Sequence, residues 1–131
     1  MIELIEEREG LQVKLTAIPM GEDLCVTIGG GDKPHIGAVA LGVPAPSRHT
    51  PGKINASVSI LTLTGHKEDE MARKAASSLT RDLGRVVVVC CGIHKDAIGS
   101  NEIELFSQMA DHLVEELTRR LKDNWNFAID G

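Results

Sequence analysis

Three histidines in this sequence stand within two residues of a glycine. His35 follows the run Gly29-Gly30-Gly31-Asp32-Lys33-Pro34 and precedes Gly37, His66 follows Gly65, and His94 closes Gly92-Ile93-His94. Neutral imidazole is the commonest metal ligand, and three imidazoles with an open fourth position suit zinc or a similar divalent ion. An imidazole near neutral pH can equally shuttle protons as a general acid or base. Asp96, two residues beyond His94, and Asp32 could add carboxylate ligands or fix a histidine tautomer from behind. Taken singly, each histidine is as well explained as a loop residue hydrogen-bonded to nearby backbone. The set becomes a site only if the fold brings its members together.

The hydrophobic periodicity says how it would. Ile2, Leu4 and Ile5 suggest a first strand with Gly10 as its turn. Leu11, Val13, Leu15 and Ala17 alternate with polar residues, as do Leu24, Val26 and Ile28, which reads as two half-buried strands. Gly29 to Pro34 is a turn by composition, Ile36 to Val43 a strand apolar or small on both faces, and Pro44 to Lys53, with three prolines, a loop. Ile54 to Thr64 alternates again. Met71, Ala72, Ala75, Leu79 and Leu83 then switch to three-to-four spacing, predicting a helix from about Lys67 to Leu83 with Gly84 as its stop. Arg85 to Ile93 is apolar on both faces, as a central strand is. A last helix is predicted from about Glu102 to Lys122, capped by Ser100 or Asn101.

This order, βββββαβα, predicts an α+β fold: a single two-layer domain over residues 1–131, with a mixed, mostly antiparallel sheet of five or six strands and two helices. Alternating strand directions, with a right-handed crossover through the first helix, carry His35, His66 and His94 to one sheet edge. Ligands gather at the carboxyl ends of parallel strands. Two helices cover only one sheet face, so the apolar second face predicts a homo-oligomer.

Composition narrows the function classes. The 131 residues are 42% hydrophobic, 25% charged and 2% aromatic, with net charge −5, which excludes a disordered tail and argues against a nucleic-acid surface. No apolar run approaches the ~20 residues of a membrane span, so no membrane partner is expected. Three cysteines, two of them adjacent, read as reduced thiols in a cytoplasmic protein. From Gly29 to Gly65 the formal charges Asp32, Lys33, Arg48 and Lys53 sum to +2, leaving −7 elsewhere. A neutral, Gly-rich, His-bearing centre within an acidic shell suits an anionic ligand, although buried strands exclude charge too. Gly30 and Gly31 could turn backbone N–H groups to a phosphate, and the helix start after His66 could add more. Lys33, Arg48, Ser57, Ser59 and Lys67 join them and His35 as candidate cofactor-binding residues. Candidate metal ligands are His35, His66, His94 and Asp96. Cys90 and Cys91 read as buried strand residues and His112 as solvated. No Gly-x-Ser-x-Gly, Cys-x-x-Cys, His-Glu-x-x-His or P-loop occurs.

The segments Gly29 to Ala40 (GGGDKPHIGAVA), Gly65 to Glu70 (GHKEDE) and Gly92 to Ala97 (GIHKDA) together resemble the prenylated-flavin chaperone-like (LpdD-like) family. The resemblance spans roughly Leu24 to Leu121. Its best-known members are small accessory subunits of gallate-type decarboxylases of the UbiD family. The resemblance implies a non-catalytic protein that binds prenylated FMN, or FMN, and helps deliver it to such a decarboxylase. It also carries over His35, His66 and His94 as candidate site residues, with metal-assisted phosphate binding as one mechanism. Two readings from the residues stand beside it: a small metal-dependent enzyme using the three-His edge, and an oligomeric scaffold without ligand.

Overall fold

A computed structural model describes residues 1–63 and 68–127 of the chain. The strands are β1 (Ile2–Arg8), β2 (Leu11–Met20), β3 (Asp23–Gly31), β4 (Ala38–Pro46), β5 (Ile54–Thr62) and β6 (Val87–His94), and the helices are α1 (Glu68–Leu83) and α2 (Ser100–Asp123). The expected order βββββαβα holds, and the fold is α+β with one open six-stranded sheet. Among the described residues no helix is long and apolar enough to cross a membrane.

The spatial order is β1-β2-β3-β6-β4-β5. β6 therefore enters between β3, which it pairs in parallel, and β4, which it pairs antiparallel. This insertion gives the strand neighbours on both sides: Val87, Val89 and Cys91 pack into the core, while Val88 and Cys90 lie half-buried on the helix-free face between β3 and β4. It also means that β3 and β4, consecutive in sequence, are not partners. Their connection spans a strand's width, and the turn falls later than the glycine run suggests. Gly29, Gly30 and Gly31 lie inside β3, opposite Gly92, Ile93 and His94 of β6, and only residues 32–37 leave the sheet.

Strand alternation divides the sheet cleanly. Val13, Leu15, Ala17, Val26, Ile28, Val87, Val89, Cys91, Ala38 and Ala40 share the face covered by the helices and are 0–2% exposed. The stripes Ala72-Ala76-Leu79 of α1 and Phe106-Met109-Leu113-Leu117 of α2 close that core. Small residues dominate where α1 meets the sheet: a Cβ on Gly42 would stand 2.4 Å from Thr80 Oγ1, so this glycine sets how closely the helix sits. Lys74 joins α1 to α2 through a 2.7 Å bond to Asp111. Below the sheet, Arg85 stacks 3.7 Å over Trp125, which meets Phe127 edge to face.

The other face carries no helix. Cys25, Thr27, Val88, Cys90, Val39, Leu41, Val43, Ser57, Ser59 and Leu61 project from it, on strands β3, β6, β4 and β5. Val88 thus points away from the helices. Leu61 is 70% exposed, and Leu41 and Val43 are each 41% exposed.

Candidate functional site

Two close backbone approaches build one end of the sheet. Gly92 passes so near the segment entering β4 that a Cβ there would lie 1.7 Å from the His35 carbonyl oxygen. Gly37 is less tightly constrained: its Cβ would lie 2.8 Å from the Glu68 carboxylate, a side chain that could shift. The Gly37 N–H donates to the Cys91 carbonyl at 2.9 Å, and the His94 carbonyl accepts from Asp32 N–H at 2.7 Å and Lys33 N–H at 3.3 Å. The chain from Asp32 to Gly37 is therefore stitched to the end of β6, and His35 is brought against His94.

Their rings meet edge to face with centroids 6.2 Å apart. Each imidazole has its own carboxylate. His94 Nε2 lies 3.0 Å from Asp96 Oδ1, and because a carboxylate only accepts, Nε2 carries the proton in that bond. His35 Nδ1 donates to the Lys33 carbonyl at 3.2 Å, which turns Nε2 toward Glu68 Oε1 at 3.5 Å. Lys33 O and the Glu68 carboxylate are thus acceptors facing the two nitrogens of one ring. The Asp32 carboxylate accepts from the Asp96 N–H at 3.4 Å, holding the residue that orients His94. Glu68, only 8% exposed, opens α1, where the helix dipole favours a carboxylate. Its charge and that of Cys90 add to burial in pushing the Cys91 thiol up to about 12, burial being the largest cause.

Beside this pair runs a groove of about 1080 Å³ between the start of α1, the end of β6 and the start of α2. Its apolar lining is Met71, Ile93, Ile98, Ile103 and Phe106, and its rim holds Glu68, Glu70, His94, Lys95 and Ser107. Lys95 pairs with Glu102 at 2.9 Å. Glu102 Oε1 also accepts from the N–H of Gly99, the residue that caps α2 in place of the expected Ser100 or Asn101.

The expected site residues thus separate into groups. His35, His94, Asp96 and Asp32 do gather at one end, with Lys33 exposed beside them. His66 and Lys67 lie outside the described residues. Among the described residues no three His, Cys, Asp or Glu side chains are placed to hold a metal ion. Gly30 is flanked by Val13 of β2 and Ile93 of β6, and Gly31 by His94, so the glycine run serves close strand packing rather than forming a free loop. Ser57 and Ser59 lie exposed on the helix-free face of β5, and Arg48 is exposed in the loop after β4, at the other end of the sheet. Glu68 was missed by sequence reasoning. Three acidic residues opening a helix look like dipole complements, and only the glycine at position 37 hints that one of them turns inward.

The chain belongs to the prenylated flavin chaperone LpdD-like family, whose model matches residues 7–122. No curated protein matches it. Among solved structures, the chain is similar to one in a crystal structure of a chaperone complex for yeast 20S proteasome assembly. The two are 16% identical over 88% of this chain and 95% of that one, with a TM-score of 0.49.

Proposed function

We propose that this chain binds prenylated FMN in the groove beside His35 and His94 and delivers it to a UbiD-type decarboxylase. The single observation that carries this reading is the groove itself: its volume is of the order of ordinary small-molecule sites, and its apolar floor leads to a polar rim. Ile93, Ile98, Ile103 and Phe106 would take the fused rings, and Lys33 and Lys95 the phosphate. The lining has more carboxylates than cations, with Glu68, Asp69, Glu70 and Glu104 against Lys74 and Lys95. A phosphate is therefore welcome only at the mouth. That suits a carrier that must release what it holds.

Anaerobic titration of reduced prenylated FMN into the purified chain tests the reading. Saturable binding, lost in Ile98→Glu and weakened in His94→Ala but not in His112→Ala, is expected. No binding to any of these proteins would overturn it. A parallel titration with chelator tests metal assistance: binding indifferent to chelator keeps the flavin and discards the metal.

The helix-free face favours a second part of this reading, a homodimer formed through it. Its half nearest β5 presents Val39, Leu41, Val43, Val88 and Leu61 without a formal charge, whereas the β1–β2 half carries the Glu3–Lys14 pair at 2.8 Å. Four strands at ~4.8 Å spacing and ~30 Å length offer a planar patch of roughly 500 Å², which rugged side chains raise toward the ~800 Å² per partner of a stable interface. Such a neutral patch pairs with its own copy without placing like charges opposite each other. Light scattering should give a dimer for the native chain and a monomer for Leu41→Glu. A monomer for both would refute it.

A further inference from the structure

The two edge strands of the sheet are defended very differently. β1 carries Glu3, Glu6, Glu7 and Arg8 among its seven residues, the usual protection against a stray strand. β5 is nine residues long, with sequence INASVSILT, and has no charge, no proline and no glycine. Among the described residues it pairs only with β4. The direction of its free hydrogen-bonding groups follows from one bond: Leu63 N–H donates to Gly37 O at 2.9 Å. Residues of an antiparallel strand alternate between facing their partner and facing away. Leu61, Ser59 and Ser57 therefore face β4, and the N–H and C=O groups of Ala56, Val58 and Ile60 face outward.

Those same three residues line a cleft of about 610 Å³ beneath α1, completed by Glu70, Arg73, Lys74 and Ser77. Lys74 is engaged by Asp111. Arg73 is exposed and makes no hydrogen bond or ion pair among the described residues. Unpaired backbone groups, a mixed cleft with Ala56, Val58 and Ile60 on the strand side, and the Arg73 guanidinium among its polar residues are what an incoming strand uses.

We infer that the β5 edge and the Arg73 cleft form a docking site for an extended segment of another protein, alternating apolar and acidic residues on its helix-facing side. The segment adds a seventh strand. Its apolar side chains enter the cleft over Val58 and Ile60, and its carboxylate meets Arg73. A second copy of this chain fits less well, because its own β5 supplies no carboxylate and brings a second Arg73 to the seam. The site is independent of flavin, so its failure would leave the groove untouched.

Fluorescence anisotropy with a labelled Ser-Val-Thr-Glu-Thr-Val-Ser peptide, whose Val, Glu and Val share one strand face, and its lysine-for-glutamate counterpart, tests this. The acidic peptide should bind and the lysine peptide should not. Val58→Pro removes an outward N–H while leaving the ladder to β4 intact, and should abolish binding. Arg73→Glu, an exposed change that leaves the fold alone, should weaken the acidic peptide several-fold and admit the lysine peptide. Absence of binding at millimolar peptide, binding unchanged by both substitutions, or a β5-to-β5 cross-link between copies would each overturn the inference.

Discussion

The two ends of the sheet look alike in sequence and differ in what holds them. Each has a histidine beside glycines, prolines and basic residues: His35 with Lys33 and Pro34 at one end, His49 with Arg48 and Pro51 at the other. The loop at residues 47–53 is held by bonds within itself. Ser47 Oγ accepts from the N–H groups of His49 and Thr50, and Ser47 N–H and Lys53 N–H bond within the same few residues. The segment at residues 32–37 is instead tied to β6 and α1, more than thirty positions away in sequence. A local loop can present a charge, but only long-range contacts can place two imidazoles and two carboxylates within reach of one groove. Residue type alone does not separate the two cases.

The largest expected effect comes from breaking the packing that builds the site end. Gly92→Ala forces a methyl into the His35 carbonyl and should cost about 3 kcal/mol, seen as a fall of roughly 10 °C in Tm. A melting curve like that of the native chain would show that the close approach is not needed.

A second difference separates the buried flank of the site from the helix-free face. Burial lifts the Cys91 thiol to about 12, with Glu68 and Cys90 adding to the rise. At pH 8.5 a thiol so raised is almost wholly protonated, and the thiolate is the reactive form. Cys25 and Cys90 are half-buried on the open face. In the Leu41→Glu monomer, mass spectrometry after alkylation should show modification at Cys25, and more slowly at Cys90, whose thiol is pushed up by burial and by Cys25, while Cys91 stays unmodified until the protein unfolds. Early labelling of Cys91 would contradict its place in the core.

A smaller effect concerns the first turn of α2 beside the groove. Lys95, and then the Gly99 N–H, hold the Glu102 carboxyl below its ordinary value. A depressed carboxyl stabilises the fold above its unfolded pKa, and this contribution is lost as pH falls through the lower, folded value. Protection of the amides of residues 100–103, measured as exchange relative to the intrinsic rate at each pH, should therefore fall in acid, below about pH 4.5, more in the native chain than in Glu102→Gln. The smallest effect is expected at the other end, where Arg48→Ala should shift stability by no more than ~0.5 kcal/mol and leave flavin binding unchanged.

Much of this architecture was legible in the sequence. The shift from two-residue to three-to-four-residue periodicity separated β5 from α1, and the doubly apolar Val87 to Cys91 stretch identified an interior strand. The meeting of His35 and His94 followed from strand direction alone. The insertion of β6 between β3 and β4 did not, because pairing order leaves little trace in a strand's own residues. The glycine run misled for a related reason: glycine marks turns and close-packed strands alike, and here the neighbouring backbones of β2 and β6 required it. Glu68 was hidden because its inward turn depends on the space left at Gly37, a contact between segments far apart in sequence.

The central claim is that the groove beside His35 and His94, and not the opposite end, takes the flavin. Heteronuclear NMR of the labelled chain during an anaerobic titration with reduced prenylated FMN tests it most directly. Amide shifts concentrated at Gly37, Gly92, His94, Ile98 and Ile103, with residues 47–53 silent, are the predicted result. Shifts concentrated at residues 47–53, or none at the groove while flavin binds, would contradict it.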